Sequence, residues 1–238
     1  MRNSPYYGPD LAAIHDLGYA DFGDAAGRGL LTLLRRAGVR RGTVVELGCG
    51  AGAATRHLVA AGYDVVAIDA SPAMLRLARR RARGARFARG NLPAVAIPAC
   101  DAVVAVGEVL NYMHGRDAFP RVFRRVADAL RPGGLFVFDV RRPGRGGQTI
   151  HGRTGRDWAV ISATTERGGT LVRAITSFRR ARHGYRRRDE THRLTLLAPA
   201  ALARLLRRVG FVARVGSAYG GVSVPPTHAV VIARKRTG

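Results

Sequence analysis

The chain has 238 residues, a formal net charge of +24 and 47% hydrophobic side chains, enough for one α/β domain with an appended subdomain. No apolar run reaches membrane-spanning length, the opening residues lack the apolar stretch of a secretion signal, and the two cysteines, Cys49 and Cys100, give neither a disulfide framework nor zinc-ligand spacing. A cytoplasmic protein with reduced thiols, monomeric or homodimeric and free of metal, is expected. Residues 6–22 open with mixed character: Leu11, Ile14 and Leu17 have helical spacing, His15 and Asp16 lie between them, and Tyr6, Tyr7 and Tyr19 flank them. Residues 25–37 make the better helix, with Leu30, Leu31, Leu33 and Leu34 apolar and Gly38 just past its end.

A β-branched run, Thr43-Val44-Val45, then leads into Glu46-Leu47-Gly48-Cys49-Gly50-Ala51-Gly52, and residues 53–59 read as a helix. A buried strand therefore stops at a glycine-rich turn where a helix begins. Without Cβ atoms, backbone there can approach a ligand closely. Glu46 selects the ligand: at the end of a buried strand it is costly without a partner. It would repel a diphosphate and suit a nucleoside bearing a sulfonium and an ammonium group. The next strand, residues 63–69, ends on Asp69, about twenty residues past the turn, where an acid accepts hydrogen bonds from ribose hydroxyls. Ser71 caps the following helix and Pro72 suits its first turn, with Met74, Leu75, Leu77 and Ala78 facing the sheet.

Residues 87–93 place Asn91 at the tip of a third strand. The buried run 100–106 breaks at Gly107-Glu108 and continues as Val109-Leu110-Asn111-Tyr112-Met113-His114. Leu130-Arg131-Pro132-Gly133-Gly134 stops a helix before a fifth strand at 135–140. Alternation of strand and helix to this point implies a parallel, doubly wound sheet. The pattern then changes. Residues 141–156, rich in Gly and Arg, read as a loop. Strand-like runs follow at 157–165, 170–180 and 185–197, separated by Gly168-Gly169 and His183-Gly184. Residues 199–209 form an amphipathic helix, and 211–215 with 228–234 make a closing antiparallel pair.

These features together resemble the class I S-adenosylmethionine-dependent methyltransferases of the small-molecule type. Their first motif, an acid, any residue and then Gly-x-Gly-x-Gly, is matched by Glu46, Gly48, Gly50 and Gly52, and their second-strand acid by Asp69. Their third-strand tip carries an acid that meets the adenine amine. Asn91 stands there instead; its carbonyl still accepts, but the charge is gone. Leu-x-Pro-Gly-Gly before strand five is a frequent signature, and residues 107–114 resemble the loop that faces both methionine and substrate. The resemblance is strongest over residues 30–140. It implies an α/β fold: a doubly wound, Rossmann-like seven-stranded sheet with an antiparallel strand 7 and an antiparallel β insert after strand 5. It further implies S-adenosyl-L-methionine as cofactor, held by Glu46, Gly48, Cys49, Gly50, Gly52, Asp69, Ala70, Met74, Asn91, Leu92 and Gly107, with Tyr7 from a segment that folds over the cofactor in relatives. The expected organisation is an N-terminal helical cap (1–40), a core (41–140 and 198–238) and an insert (141–197) that caps a small-molecule substrate.

A sulfonium is already a strong electrophile, so orientation can supply most of the acceleration, and a base matters only where the acceptor must lose a proton. The candidates are His114 and Glu108 on the rim after strand four, His15 in the N-terminal segment, and His192 in the insert. By strand alternation Glu190 shares the face of His192 and would orient it. Trp158, Arg173, Phe178 and Arg186 in the insert, and Tyr219-Gly220-Gly221, suggest further pocket lining.

Methyl transfer to O or N of a small molecule is the leading expectation. An RNA methyltransferase is the alternative, because residues 1–140 carry +7 and residues 141–238 carry +17. Against it, there is no Asn/Asp-Pro-Pro-Tyr segment, no Pro-Cys nucleophile and no separate RNA-binding module. Lys235 is the lone lysine, as a G+C-rich coding sequence would give, and non-specific polyanion binding is a possible consequence of the charge. A non-catalytic S-adenosylmethionine-binding protein is a further alternative. A dinucleotide oxidoreductase also fits Gly48-x-Gly50-x-x-Ala53, but Glu46 opposes it.

Overall fold

The computed structural model describes residues 6–237. Its elements in chain order are α1 (Pro9–Arg36), β1 (Thr43–Leu47), α2 (Thr55–Ala60), β2 (Asp64–Asp69), α3 (Pro72–Arg81), β3 (Arg86–Arg89) and β4 (Cys100–Ala105). A 3-10 turn (Val109–Tyr112), α4 (Ala118–Ala129) and β5 (Leu130–Arg141) follow. The insert comprises β6 (Gly147–Gly155), β7 (Trp158–Arg167), β8 (Thr170–Ala181) and β9 (Gly184–Thr195). The chain ends with α5 (Pro199–Arg208), β10 (Phe211–Gly216), the short pair β11 (Ala218–Tyr219) and β12 (Val222–Ser223), and β13 (His228–Lys235).

The main sheet has the order β10-β13-β5-β4-β1-β2-β3. Strands β1 to β5 run parallel, and β13 lies antiparallel between β5 and β10. This is the expected doubly wound α/β sheet with its last strand reversed. Alternation sends side chains of one strand to opposite layers. On one face Val45, Leu47, Phe136 and Phe138 join Phe119 and Phe123 of α4 and Leu202 and Leu206 of α5. On the other, Val44, Leu135 and Val137 meet Leu30, Leu33 and Leu34 of α1, Leu58 of α2 and Leu75 of α3. Both faces are covered, which is why the strands read as continuous apolar runs.

Three local expectations differ from the structure. Residues 9–36 form one 28-residue helix, not a mixed segment followed by a helix. Its amphipathic stripe serves two partners: Leu11 and Ile14 pack on Val160 and Ile175 of the insert, and the later leucines pack on the main sheet. Asp24 reinforces the second contact by binding Arg56 and His57 near the start of α2. The supposed loop 141–156 contains β6, paired along its length with β7. Every residue of β6 is exposed, so no apolar alternation marks it. Finally, β5 starts at Leu130 rather than Leu135, with a register irregularity against β4 between Cys100 and Ala102.

Helix α1 crosses the β11–β12 pair at Gly29, where an added Cβ would collide with the Tyr219 carbonyl oxygen. At Gly216 an added Cβ would meet nothing within 4 Å. Overpacking of this kind typically costs about 1–3 kcal/mol. Gly29→Ala is therefore expected to lower the thermal midpoint by about 3–10 °C, while Gly216→Ala leaves it nearly unchanged. Thermal unfolding followed by circular dichroism checks both.

Candidate functional site

The carboxyl ends of β1, β2 and β4 open into one cavity of about 1600 Å³. Open α/β sheets bind ligands at this edge, where the strand order reverses between β1 and β4. Gly48, Gly50 and Gly52 all hold left-handed backbone, with φ of +67, +53 and +80. The first and third are also sterically required, because Val109 and Ala78 crowd the positions of their missing Cβ atoms. Gly50 differs: an added Cβ would meet no protein atom within 4 Å. Its backbone borders space left for something else.

Asp69 closes this turn from the tip of β2. One carboxylate oxygen accepts from the Gly50 N–H and the other from the Ser71 N–H, each at 2.8 Å. Each oxygen keeps acceptor capacity toward the cavity. Burial raises the Asp69 pKa, opposed by the N–H groups of Ser71, Gly50 and Ala70. Glu46 is 2% exposed and accepts a 2.6 Å bond from the Thr55 hydroxyl. Burial pushes its carboxyl up to about 7; the Thr55 bond opposes the rise and the Asp69 charge adds to it. Cys49, Ala70, Met74, Asn91, Leu92 and Gly107 line the same cavity. The Cys49 thiol is pushed up by burial, so it is no nucleophile at neutral pH.

The opposite wall comes from the N-terminal segment, the 3-10 turn and the insert. Tyr6, Tyr7, His15, Tyr19, Tyr112, His114, Arg173 and His228 all line it. Arg153 lies over the Tyr19 ring at 4.9 Å. Burial pushes the His15 imidazole down to about 4, which leaves it neutral at pH 7. His114 sits exposed on the rim, with Nδ1 3.1 Å from the Tyr112 carbonyl oxygen.

The structure separates the four candidate bases. His15 and His114 face the cavity. Glu108 also faces it, but bonds to His228 at 2.6 Å and Arg173 at 3.1 Å. Burial alone would raise its carboxyl; the His228 bond and the charges of Arg173 and His228 outweigh that and hold it at about 2. Such a carboxylate is a poor proton acceptor at neutral pH. His192 is 0% exposed and does not border the cavity. Its two ring nitrogens bond to Glu190 and to the Tyr112 hydroxyl, so strand alternation placed Glu190 beside it as expected.

Sequence reasoning passed over Asp139 and gave no individual role to Tyr112 or Asn111 within the loop 107–114. Asp139, 1% exposed near the end of β5, accepts from the Gly107 N–H at 2.6 Å, the Glu108 N–H at 3.1 Å and the Tyr219 hydroxyl at 2.6 Å. An acid within the apolar run Val137-Phe138-Asp139-Val140 was the signal, of the same kind as Glu46. Asn111 pins the 3-10 turn by donating to the Thr195 carbonyl at 2.9 Å and accepting from the Arg141 N–H at 2.9 Å.

A methyltransferase-domain family matches residues 44–134, from β1 into the start of β5. A S-adenosylmethionine-dependent methyltransferase from Clostridium acetobutylicum ATCC 824 superposes with a TM-score of 0.83 at 18% identity, over 95% of this chain and 98% of that one. Residues 44–134 thus carry a methyltransferase domain, and the chain as a whole shares the fold of S-adenosylmethionine-dependent methyltransferases. The sugar N-methyltransferase KedS8 from Streptoalloteichus sp. ATCC 53650 gives a TM-score of 0.80 at 19% identity, over 99% of this chain and 98% of that one. YqeM of Bacillus subtilis (strain 168), provisionally named a methyltransferase, is 24% identical over 184 residues, or 72% of this chain and 74% of its own. The chain spans less than half the length of three further curated relatives that it matches: 46%, 44% and 48%.

The residues present suit the cofactor of this family. Gly50 leaves room at the turn, Asp69 has free acceptor capacity, and Glu46 is a buried acid whose one hydrogen bond is to a neutral hydroxyl. A ligand cation beside Glu46 would favour its ionised form. The bound state then holds fewer protons than the free protein below pH 7, so affinity rises with pH up to about 7 and levels off above it. S-adenosylhomocysteine, which keeps the ammonium group, is expected to bind roughly tenfold more weakly at pH 6 than at pH 7.5. Glu46→Gln is expected to remove most of this slope. Titration calorimetry across that range checks both; an equal slope in the variant would show that another group carries it.

Proposed function

We propose that this methyltransferase acts on a small-molecule acceptor at oxygen or nitrogen. One observation carries the reading: the cofactor-side wall and a wall of tyrosine, histidine and arginine side chains share a single cavity, roofed by the start of α1 and by the insert. In this reading Asp69 takes the ribose hydroxyls, Asn91 and Leu92 the adenine end, Glu46 the ammonium end, and the backbone of Gly48 to Gly52 the space between. The cofactor supplies an electrophilic methyl carbon. The protein orients an acceptor against it and keeps water away, and orientation can be worth on the order of 7–11 kcal/mol. His15 is a neutral imidazole at the acceptor wall. The fold shared with a sugar N-methyltransferase supports an acceptor of similar scale.

The arginine excess does not require a polymer partner. Asp10, 4% exposed at the start of α1, binds Arg186 at 2.6 Å and has Arg179 and Arg188 within 3.8 Å. Arg180 pairs with Asp157 and Arg187 with Asp189. Arg179, Arg186 and Arg188 tie the N-terminal helix to the insert, and Arg180 ties β8 to the turn before β7.

Incubation with methyl-labelled S-adenosylmethionine and a metabolite extract is expected to label a small product. Label confined to RNA would refute the small-molecule reading, and no label at all would leave binding as the sole activity. Asp69→Ala and Gly50→Val are each expected to weaken S-adenosylhomocysteine binding at least tenfold in calorimetry. Folding of each variant is verified by circular dichroism. Retained affinity in both would move the cofactor elsewhere.

A further inference from the structure

Four side chains form a hydrogen-bonded line from the insert to the cavity. Glu190 Oε2 lies 3.0 Å from His192 Nε2, His192 Nδ1 lies 3.1 Å from the Tyr112 hydroxyl, and that hydroxyl lies 3.2 Å from the Tyr7 hydroxyl. The direction of each bond follows from donor and acceptor capacity. Glu190 receives the Tyr7 N–H at 2.8 Å and the Gly8 N–H at 2.9 Å as well as the ring. A carboxylate only accepts, so His192 donates from Nε2. Neutral His192 then accepts at Nδ1, Tyr112 donates to it, and Tyr7 donates to Tyr112. Among the described residues no group donates to the Tyr7 oxygen. Its acceptor capacity is unspent, and Tyr7 and Tyr112 line the cavity while His192 stands fully buried behind them.

The backbone supports a functional placement. Tyr7 holds φ +59, a left-handed conformation unusual for a residue other than glycine. Glu190 grips its N–H, and the Ser71 hydroxyl donates to its carbonyl at 2.7 Å. The strained residue is thus fixed from both the insert and the cofactor side.

We propose that Tyr7, backed by Tyr112, His192 and Glu190, removes the acceptor's proton, and that the acceptor is an alcohol, phenol or amine rather than a carboxylate. This rests on the methyl-transfer reading above. The acceptor's X–H hydrogen passes to the Tyr7 oxygen as the Tyr7 hydrogen moves to Tyr112 and the Tyr112 hydrogen to His192 Nδ1. The acceptor lone pair forms the bond to the methyl carbon, and the electrons of the broken methyl–sulfur bond stay on sulfur. Positive charge leaves the sulfur and appears on the His192 imidazolium, beside Glu190. Burial raises the pKa of both tyrosines, which suits passing a proton along over holding a phenolate. Tyr7 is the catalytic residue here; His192 and Glu190 are positioning residues.

The line has one working polarity. Protonated His192 would donate from Nδ1, reverse the bonds to Tyr112 and Tyr7, and leave no route for an incoming proton. The groups facing that ring are Glu190 and Arg173 on the sheet, Tyr112 on the 3-10 turn, and Tyr6, Tyr7 and His15 from the N-terminal segment.

The test uses the full chain with labelled S-adenosylmethionine and a panel of cyclic amines, alcohols, phenols and carboxylic acids of one ring size. Methylation of amines or hydroxyl compounds is expected, with Tyr7→Phe lowering kcat about a hundredfold. His192→Gln is expected to lower kcat while donor affinity holds, a split that a merely structural role would not give. Histidine side-chain nitrogen NMR should find His192 protonated at Nε2, with its Nδ1 resonance shifted in Tyr112→Phe. Methylation confined to carboxylic acids, turnover unchanged in Tyr7→Phe, or a proton on Nδ1 at neutral pH would each overturn the inference alone. Donor binding without methylation of any panel compound would overturn both the inference and the methyl-transfer reading.

Discussion

Three carboxylates, each receiving two backbone N–H groups, hold the chain segments that surround the cavity. Asp69 grips Gly50 and Ser71, Asp139 grips Gly107 and Glu108, and Glu190 grips Tyr7 and Gly8. Each therefore fixes a turn that no regular ladder would satisfy. A hydrogen bond to a charged acceptor contributes about 1.5–3 kcal/mol, and losing the acceptor strands a donor at comparable cost. The wall positions of the cavity depend on these three grips more than on the apolar layers behind them. The layers bring the strand ends to one edge, and the carboxylates decide how the chain turns once it leaves that edge.

The same logic explains where charge is tolerated. Glu108 stands between an arginine from the insert and a histidine from the last strand, and it is fully committed to them. Glu46 has a hydroxyl as its one partner and sits near neutrality in its proton affinity. Two buried glutamates with opposite pKa shifts thus border one cavity. The first joins three parts of the fold, and the second remains available to a ligand.

The glycine-turn side of the cavity was far more legible in the sequence than the wall that the insert helps to build. Residues 43–69 lie close together in the chain, so a strand, a turn and an acid at a fixed distance imply their own geometry. The double winding was legible because buried parallel strands leave unbroken apolar runs. By contrast, the partners of Glu108 lie 65 and 120 residues away, and no local pattern encodes them. Alternation placed Glu190 and His192 on one side but gave no hint that Tyr112 and Tyr7 screen the ring from the cavity. Strand β6 was missed because it buries nothing; its backbone pairing with β7 is its main support. Helix α1 read as two pieces because its apolar stripe changes partner midway, from the insert to the main sheet.

Tyr7 has a further consequence through its main chain. Its amide belongs to the insert through Glu190, and its carbonyl belongs to the start of α3 through Ser71. One peptide segment is thus a strap buckled at both ends along the cavity wall. Loosening either fastening would free the main chain of Tyr7 on one side and so disturb the cavity wall that its side chain forms. Strengthening those fastenings would make the protein sturdier and that wall stiffer.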